Sequence, residues 1–419
     1  MRKIYIESNG CAVLRHDTQR YSKYFRANGW TEVEVPADAD MVLLTTCGVI
    51  QSTEDASMAA LRRLKGEMKE GASLIVGGCL PKINPEIVSR EFDGIVFGKE
   101  DEDKLDGIIG AEIGIANIFW DGDIFREHSL GDPELSYSDW QLRQLKLAEA
   151  LSDRFGNGRY VEIYDYLTKG RFLWKEKGLF EVKVADGCNY NCSYCATKNA
   201  KGNLKSRIPE DILREFRLGV EKGYPKIILT GDEVGEYGRD IGLSLVELLD
   251  RMVPISGDSK IALRYISPEA LIRQYRKLKK YFKIGKIYYF CSSFQSGSPR
   301  ILRLMNRPDN IDTFHEIVKE IDRDCPYVYK QTQVIVGFPQ ETEEDLDKTM
   351  ELIKDGSFDY VSVIKYSKRP YTKAIDMEGH ISPEIIEARY RKVSELVASL
   401  RDKKLAQLTY EEMLKQFGQ

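Results

Sequence analysis

Three cysteines fall within one octet, Cys188-Asn-Tyr-Asn-Cys192-Ser-Tyr-Cys195, preceded by Gly187. Three thiolates on one short loop can each hold an iron of a cubane, but they cannot close a four-ligand shell. A [4Fe-4S] cluster held in this way keeps one iron open to a further ligand. A structural zinc ion would need a fourth Cys or His nearby, and the nearest histidine is His128, far upstream. Zinc with a distant fourth ligand, and three small buried residues that happen to be cysteine, are the alternatives. Three more cysteines, Cys11, Cys47 and Cys79, have 35 and 31 residues between them, so no local motif joins them. Cys291 and Cys325 complete a total of eight in 419 residues, too sparse for a disulfide scaffold and better read as metal ligands or redox groups.

The positions of these thiols imply the elements that carry them. Cys188 follows a strand-like stretch, Leu179–Ala185, and precedes a helix opened by Pro209-Glu-Asp-Ile. A site at the carboxyl end of a strand is where α/β folds place their chemistry. Cys11 follows Ile4–Gly10, Cys47 follows Met41–Thr46 and Cys79 follows Leu74–Gly78, each a short apolar run. Helical patterns over Thr18–Asn28 and Ala56–Lys69 separate them. The resulting β-α-β-α-β order predicts parallel strands whose carboxyl ends share one edge, which would gather three distant thiols into a second three-thiolate site. Gly10, Gly48, Gly78 and Gly187 adjoin the cysteines and predict close backbone approach to a bulky inorganic group. Three unrelated buried cysteines in a Rossmann-like core are the alternative.

Composition sets the frame. The length predicts two or three domains. With 62 Lys+Arg against 66 Asp+Glu the net charge is −4, which excludes global disorder and a strongly basic nucleic-acid coat but allows a local basic groove. No apolar run approaches the ~18 residues of a membrane helix, and the first residues lack the design of a signal peptide, so no membrane partner and a cytoplasmic location are expected.

The octet, with an aromatic Tyr194 before its last cysteine, resembles the C-x3-C-x-Φ-C signature of the radical S-adenosylmethionine (SAM) superfamily. Later stretches fit it in order: Ile227–Glu233, Phe290–Gly297 and Val334–Pro339. With the N-terminal triplet, the chain resembles one subgroup, the radical-SAM methylthiotransferases, over roughly residues 1–105 and 176–400. Matching stretches include Thr45-Thr-Cys47-Gly, Gly77-Gly-Cys79-Leu, Leu229–Asp240, Gln295–Arg307, Ile335–Asp345 and Tyr366-Ser-Lys-Arg-Pro370. The resemblance implies that Cys188, Cys192 and Cys195 hold the SAM-cleaving cluster and Cys11, Cys47 and Cys79 an auxiliary [4Fe-4S] cluster with an open iron. It implies SAM contacts at Tyr194, mainly through its backbone, and at Thr230, Gly231, Asp232, Glu233, Gln295, Ile335 and Gly337. Family members use one SAM to methylate sulfur and a second as the radical source, turning C–H into C–S–CH3, with a reductant such as flavodoxin or ferredoxin.

The expected architecture is α/β: an N-terminal doubly wound parallel-sheet domain over 1–105, a connector or insert over 106–175, a partial (β/α)6 radical-SAM barrel over 176–380, and a helical tail over 381–419. The family's final RNA-gripping TRAM module would begin after a helix near 385–405. Only Ala406–Gln419 follows, too short for a five-stranded barrel at ~5–6 residues per strand. A polypeptide side chain, in a peptide or protein, is therefore the expected substrate. A tRNA adenosine is the alternative, supported by the Leu229–Asp240 stretch, which resembles members acting on threonylcarbamoyladenosine. Two other readings are a radical-SAM peptide-modifying enzyme whose auxiliary cluster only transfers electrons, and an iron–sulfur carrier or sensor. The insert holds three of the four tryptophans and a helix-like run, Asp139–Arg154, and is expected to be ordered. Cys291 is expected in the core or a pocket, Cys325 in a polar turn without a ligand, and the basic run Arg273–Lys280 on a solvated helix face.

Overall fold

The computed structural model describes residues 2–119, 179–355 and 357–417. The aromatic and helical features expected between Trp120 and Trp174 lie outside the described residues. Five parallel strands, β1 (Lys3–Asn9), β2 (Thr31–Glu32), β3 (Met41–Thr46), β4 (Ser73–Gly78) and β5 (Ile95–Val96), form the first sheet in the order 2-1-3-4-5. The order reverses between β1 and β3, the kind of switch point at which an α/β sheet opens a crevice. Cys11 and Cys47 lie directly beyond those two strands. Alternation along β3 sends Met41 and Leu43 into one apolar layer and Val42 and Leu44 into the other, so the sheet is covered on both faces. The covering helices include α1 (Ala12–Ala27) and α2 (Gln51–Glu67).

Both helices start several residues before the predicted points. In α1 the sequence pattern is broken by Arg15-His16-Asp17-Thr18, yet His16, Asp17 and Thr18 are buried. The side chains of Asp17 and Thr18 serve polar contacts, so apolar periodicity could not reveal this turn. Thr18 Oγ1 lies 2.7 Å from Thr45 Oγ1 beneath the Cys47 loop.

The second sheet begins with β6 (Leu179–Lys183). After a short antiparallel ribbon, β7 (Ala185–Asp186) with β8 (Lys205–Ser206), it continues through β9 (Lys226–Thr230), β10 (Lys260–Leu263), β11 (Ile287–Cys291), β12 (Tyr329–Val336) and β13 (Tyr360–Lys365). These six parallel strands lie in the order 13-12-11-10-9-6, an open barrel wall backed by helices. The largest apolar cluster fills the space between that wall and its helices. A helix over Pro383–Phe417 follows β13. Cys291 ends β11 in the core, as expected, and Cys325 opens the turn that follows Ile311–Asp324, with its carbonyl accepting from the Val328 N–H (2.9 Å) and its side chain only 2% exposed. The basic run lies on a helix, Pro268–Lys283, where Lys280 pairs with Asp250 at 2.7 Å and Arg273 with Glu236. Among the described residues no helix is long and apolar enough to cross a membrane.

A buried ion cluster joins the two sheets. Asp17 of α1 accepts from Lys183 at the end of β6 (2.6 Å) and from Lys201 (3.0 Å), and Lys99 lies 3.5 Å away. Asp186 pairs with Lys183 at 2.5 Å and Lys201 at 3.5 Å. Burial alone would raise the Asp17 carboxyl, but the Lys183 and Lys201 ammoniums hold it well below the usual carboxylate range. Asp17→Asn keeps the shape and removes the charge, leaving Asp186 alone to face the Lys183 and Lys201 ammoniums. The expected loss is about 3–5 kcal/mol, read as a lower urea midpoint for the whole chain. An unchanged midpoint would show that the cluster does not hold the sheets together.

Candidate functional site

The carboxyl ends of both sheets open into one cavity of ≈ 920 Å³, and all six cysteines of the two triplets line it. Cys11 caps the N-terminus of α1 and is exposed; Cys47 and Cys79 are buried at 3% and 5% exposure. The Cys79 N–H donates to the Thr46 carbonyl (2.8 Å), tying the loop after β4 to the strand end that precedes Cys47. The Cys47 N–H donates to Ser57 Oγ (3.0 Å), and that hydroxyl donates back to the Cys47 carbonyl (2.9 Å).

The two triads meet through packing. Cys79 and Ile83, in the short helix that follows it, share an apolar cluster with Ala196 and Ala200. Those alanines lie just beyond Cys195 and within the helix Thr197–Lys201. Arg369, beyond β13, forms a second link across the cavity rim. It is 3% exposed and donates to the Gly48 carbonyl (3.1 Å) and Glu54 Oε2 (3.0 Å). Ser367 Oγ accepts from the Gln51 N–H (2.9 Å). The loop of Cys47 is thus held by groups more than 300 residues away in sequence.

The octet loop is fixed from all sides. Ser193 N–H donates to the Met305 carbonyl (2.9 Å), its Oγ donates to the Leu304 carbonyl (2.9 Å), and its own carbonyl accepts from the Ala374 N–H (2.8 Å). Lys198 donates to the Cys188 carbonyl. Arg307 donates to Cys192 Sγ (3.8 Å), Tyr194 Oη (3.3 Å), Glu269 Oε2 and the Ser293 carbonyl (both 3.2 Å).

Two of the glycines beside the cysteines are required by the fold itself. A Cβ at Gly78 would lie 2.5 Å from the Thr46 carbonyl oxygen, and one at Gly187 would lie 2.2 Å from the Asn203 oxygen. Both have positive φ, +98° and +70°. These two residues make room for the protein's own backbone.

Of the residues expected to meet SAM, Tyr194, Asp232, Glu233, Gln295 and Ile335 line the cavity, whereas Thr230, Gly231 and Gly337 do not. Those three shape the strand ends: Thr230 is fully buried, a Cβ at Gly231 would approach the Ala185 oxygen at 2.9 Å, and one at Gly337 would strike Ile386 at 2.5 Å. Gln295 adopts a left-handed φ of 66°, costly for a non-glycine residue and typical of functional sites. Its Oε1 is buried without a hydrogen-bond partner. Glu233 Oε1 accepts from the Gly235 (3.0 Å) and Ser267 (2.9 Å) N–H groups, and burial pushes its carboxyl up to about 8. Sequence reasoning missed Arg307, Lys201 and Arg369 as site residues. Arg307 and Arg369 lie in stretches that resemble the family, but nothing local says which side chain points inward.

The donor set suits the iron–sulfur reading. Among the described residues no three His, Cys, Asp or Glu converge as ligands of a single ion do. Each triad offers three thiols to the cavity, the donor type that a cubane takes on three separate irons. Burial pushes the Cys47, Cys79, Cys188 and Cys195 thiols up, so loading metal must release protons.

Two family models match: the Radical SAM superfamily over residues 182–353 and Uncharacterized protein family UPF0004 over residues 3–98. The "Probable threonylcarbamoyladenosine tRNA methylthiotransferase" of Pyrococcus horikoshii is 32% identical over 378 residues, covering 89% of this chain and 79% of that protein. The "tRNA-2-methylthio-N(6)-dimethylallyladenosine synthase" of Thermodesulfovibrio yellowstonii is 28% identical, covering 96% and 85%. Among solved structures, a radical S-adenosylmethionine methyltransferase from Kitasatospora setae shares the fold with a TM-score of 0.58 at 12% identity, covering 96% of this chain and 89% of that one.

Arg369→Ala should release the loop of Cys47 while leaving the octet loop intact. The chain reconstituted with iron and sulfide is expected to carry roughly half the iron of the unaltered protein, and Arg369→Lys, which keeps a charge but lacks the planar fork, an intermediate amount. Full iron content in Arg369→Ala would show that the loop holds its shape unaided.

Proposed function

The chain belongs to the radical-SAM methylthiotransferase family, which works with [4Fe-4S] clusters and SAM, and from that premise we propose that it replaces the C2–H of an N6-modified adenosine in tRNA by C–S–CH3. Cys188, Cys192 and Cys195 hold the SAM-cleaving cluster in this reading, and Cys11, Cys47 and Cys79 hold a second. The observation that carries it is the single cavity lined by both triads, because the carbon that loses hydrogen must also meet the sulfur. The names of relatives at 32% and 33% identity support tRNA, and specifically threonylcarbamoyladenosine. They lend no support to the polypeptide substrate expected from sequence. The enzyme would act in the cytoplasm and draw electrons from a small reductant such as flavodoxin or ferredoxin.

When bound, the clusters and SAM supply one-electron cleavage of the sulfonium, hydrogen abstraction, and the sulfur and methyl group of the product. The chain's own residues bind and orient. Asp232 and Glu233, at the end of β9, offer carboxylates to the amino group of the SAM methionine. The unpaired Oε1 of Gln295 offers an acceptor to its ribose hydroxyls. Arg307 ties Cys192 and Tyr194 of the octet to Glu269 and the Ser293 carbonyl, and the apolar faces of Ile335 and Ile364 exclude water from the far wall.

Three measurements test this reading. Reconstituted enzyme with tRNA carrying N6-threonylcarbamoyladenosine, SAM and a strong reductant should yield the methylthio nucleoside by mass spectrometry; a tRNA that stays unmodified while 5′-deoxyadenosine accumulates would refute the substrate. Replacing Cys11, Cys47 and Cys79 together by Ala should roughly halve the iron, keep 5′-deoxyadenosine formation and abolish the methylthio product, whereas replacing Cys188, Cys192 and Cys195 should stop cleavage of SAM. Loss of cleavage with unchanged iron in the first variant would reverse the assignment.

Glu233 adds a pH signature. Its raised carboxyl is largely protonated below pH 8 and must ionise to meet a cationic amino group, so SAM affinity should rise with pH. The gain should approach about tenfold per unit between pH 6 and 8. Glu233→Gln should bind more weakly and lose that slope; a slope that persists in the variant would place the titrating group elsewhere.

A further inference from the structure

The thiols of the octet do not all meet the same kind of donor. Cys188 Sγ accepts from the Tyr190 N–H (3.4 Å), a neutral peptide group. Cys192 Sγ accepts from Nη1 of Arg307 (3.8 Å), a guanidinium. Lys198 also lies beside the octet, but it donates to oxygens, the Cys188 carbonyl and Asn203 Oδ1 (2.7 Å). The Arg307 side chain is 9% exposed, and both of its terminal nitrogens are engaged. Nη1 also donates to Tyr194 Oη (3.3 Å), and Nη2 donates to Glu269 Oε2 and to the Ser293 carbonyl (both 3.2 Å). Acceptors from three separate segments therefore hold the guanidinium in place against the sulfur.

Reduction adds one negative charge to an iron–sulfur cluster. A hydrogen bond to a ligating sulfur and a positive charge beside it therefore favour the reduced form over the oxidised one. A charged donor does this more strongly than a peptide N–H. Resting on the reading of Cys188, Cys192 and Cys195 as ligands of the SAM-cleaving cluster, we propose that Arg307 tunes that cluster, raising its reduction potential through the Nη1 contact with Cys192 Sγ. The step that Arg307 assists is the entry of one electron, given up by a low-potential one-electron donor of the flavodoxin or ferredoxin type. Glu269 works against it. Its carboxylate, 10% exposed at the start of the helix Pro268–Lys283, pairs with Nη2 and offsets part of the guanidinium charge. One buried ion pair thus holds two opposed biases on the same sulfur, and removing either charge has a defined sign.

The test uses the reconstituted full-length protein, poised without SAM at a series of potentials and read by electron paramagnetic resonance. The octet component is the one whose spectrum changes when SAM is added and which survives replacement of Cys11, Cys47 and Cys79 by Ala. At the potential that half reduces this component in the unaltered protein, Arg307→Gln should lower its reduced-to-oxidised ratio about tenfold, equivalent to about 59 mV for one electron. Arg307→Lys, which keeps the charge, should lower the ratio less. Glu269→Gln should raise it, by about threefold. The other component should move little in all three variants, and iron content is measured beside each. If Arg307→Gln does not retain its iron, Glu269→Gln, which leaves the contact with Cys192 in place, decides the question. Ratios unchanged within about twofold in variants with full iron, or an equal shift of both components, would overturn the role of Arg307 and leave the assignment of the octet standing. A protein in which no component responds to SAM would overturn that assignment, and the role of Arg307 with it.

Discussion

The Asp17 carboxylate, buried between Lys183 and Lys201, is the constraint on which the rest of the site depends. It lies on the helix that begins at Cys11, and its partners flank the octet of Cys188, Cys192 and Cys195. Burying such a group costs desolvation energy that its ion pairs roughly offset, so its main product is registry. An apolar contact could slide by several ångströms at little cost, whereas a carboxylate matched to two ammoniums cannot. With that register set, the carboxyl edges of two separate parallel sheets face each other across one cavity.

Secondary links then refine the register where the thiols lie. Cys79 packs against the alanines beyond Cys195, and Arg369 reaches from the second sheet to the carbonyl beside Cys47. Each triad is therefore supported partly by the domain that carries the other. The same arrangement brings the carboxylates of Asp232 and Glu233, at the end of β9, into the cavity together with Lys201 and Arg307.

Much of this was legible in the chain. The spacing of Cys188, Cys192 and Cys195 carries the likeness to the radical-SAM signature, and the strand-like runs before Cys11, Cys47 and Cys79 lead to neighbouring strands of one parallel sheet. Strands were legible because every residue of β3 and β11 is buried, leaving continuous apolar runs. The first turns of α1 were not, because Asp17 and Thr18 are buried for polar contacts that hydrophobic periodicity does not register. Gly78 and Gly187 were recognisable as special positions, but the oxygens of Thr46 and Asn203 that require them come from elsewhere in the fold.

By itself the sequence determined the chemistry and the elements: six thiols at strand ends, two parallel α/β units, and a likeness to enzymes that join sulfur to carbon. Tertiary structure alone decided that the two triads share one cavity, that Lys201 and Arg307 line it, and that Arg369 ties the loop of Cys47 to the second sheet. The reason is range. Strand and turn preferences are local and are written in neighbouring residues, whereas the pairing of Asp17 with Lys183, or of Arg369 with Glu54, depends on complementary charge meeting across hundreds of residues.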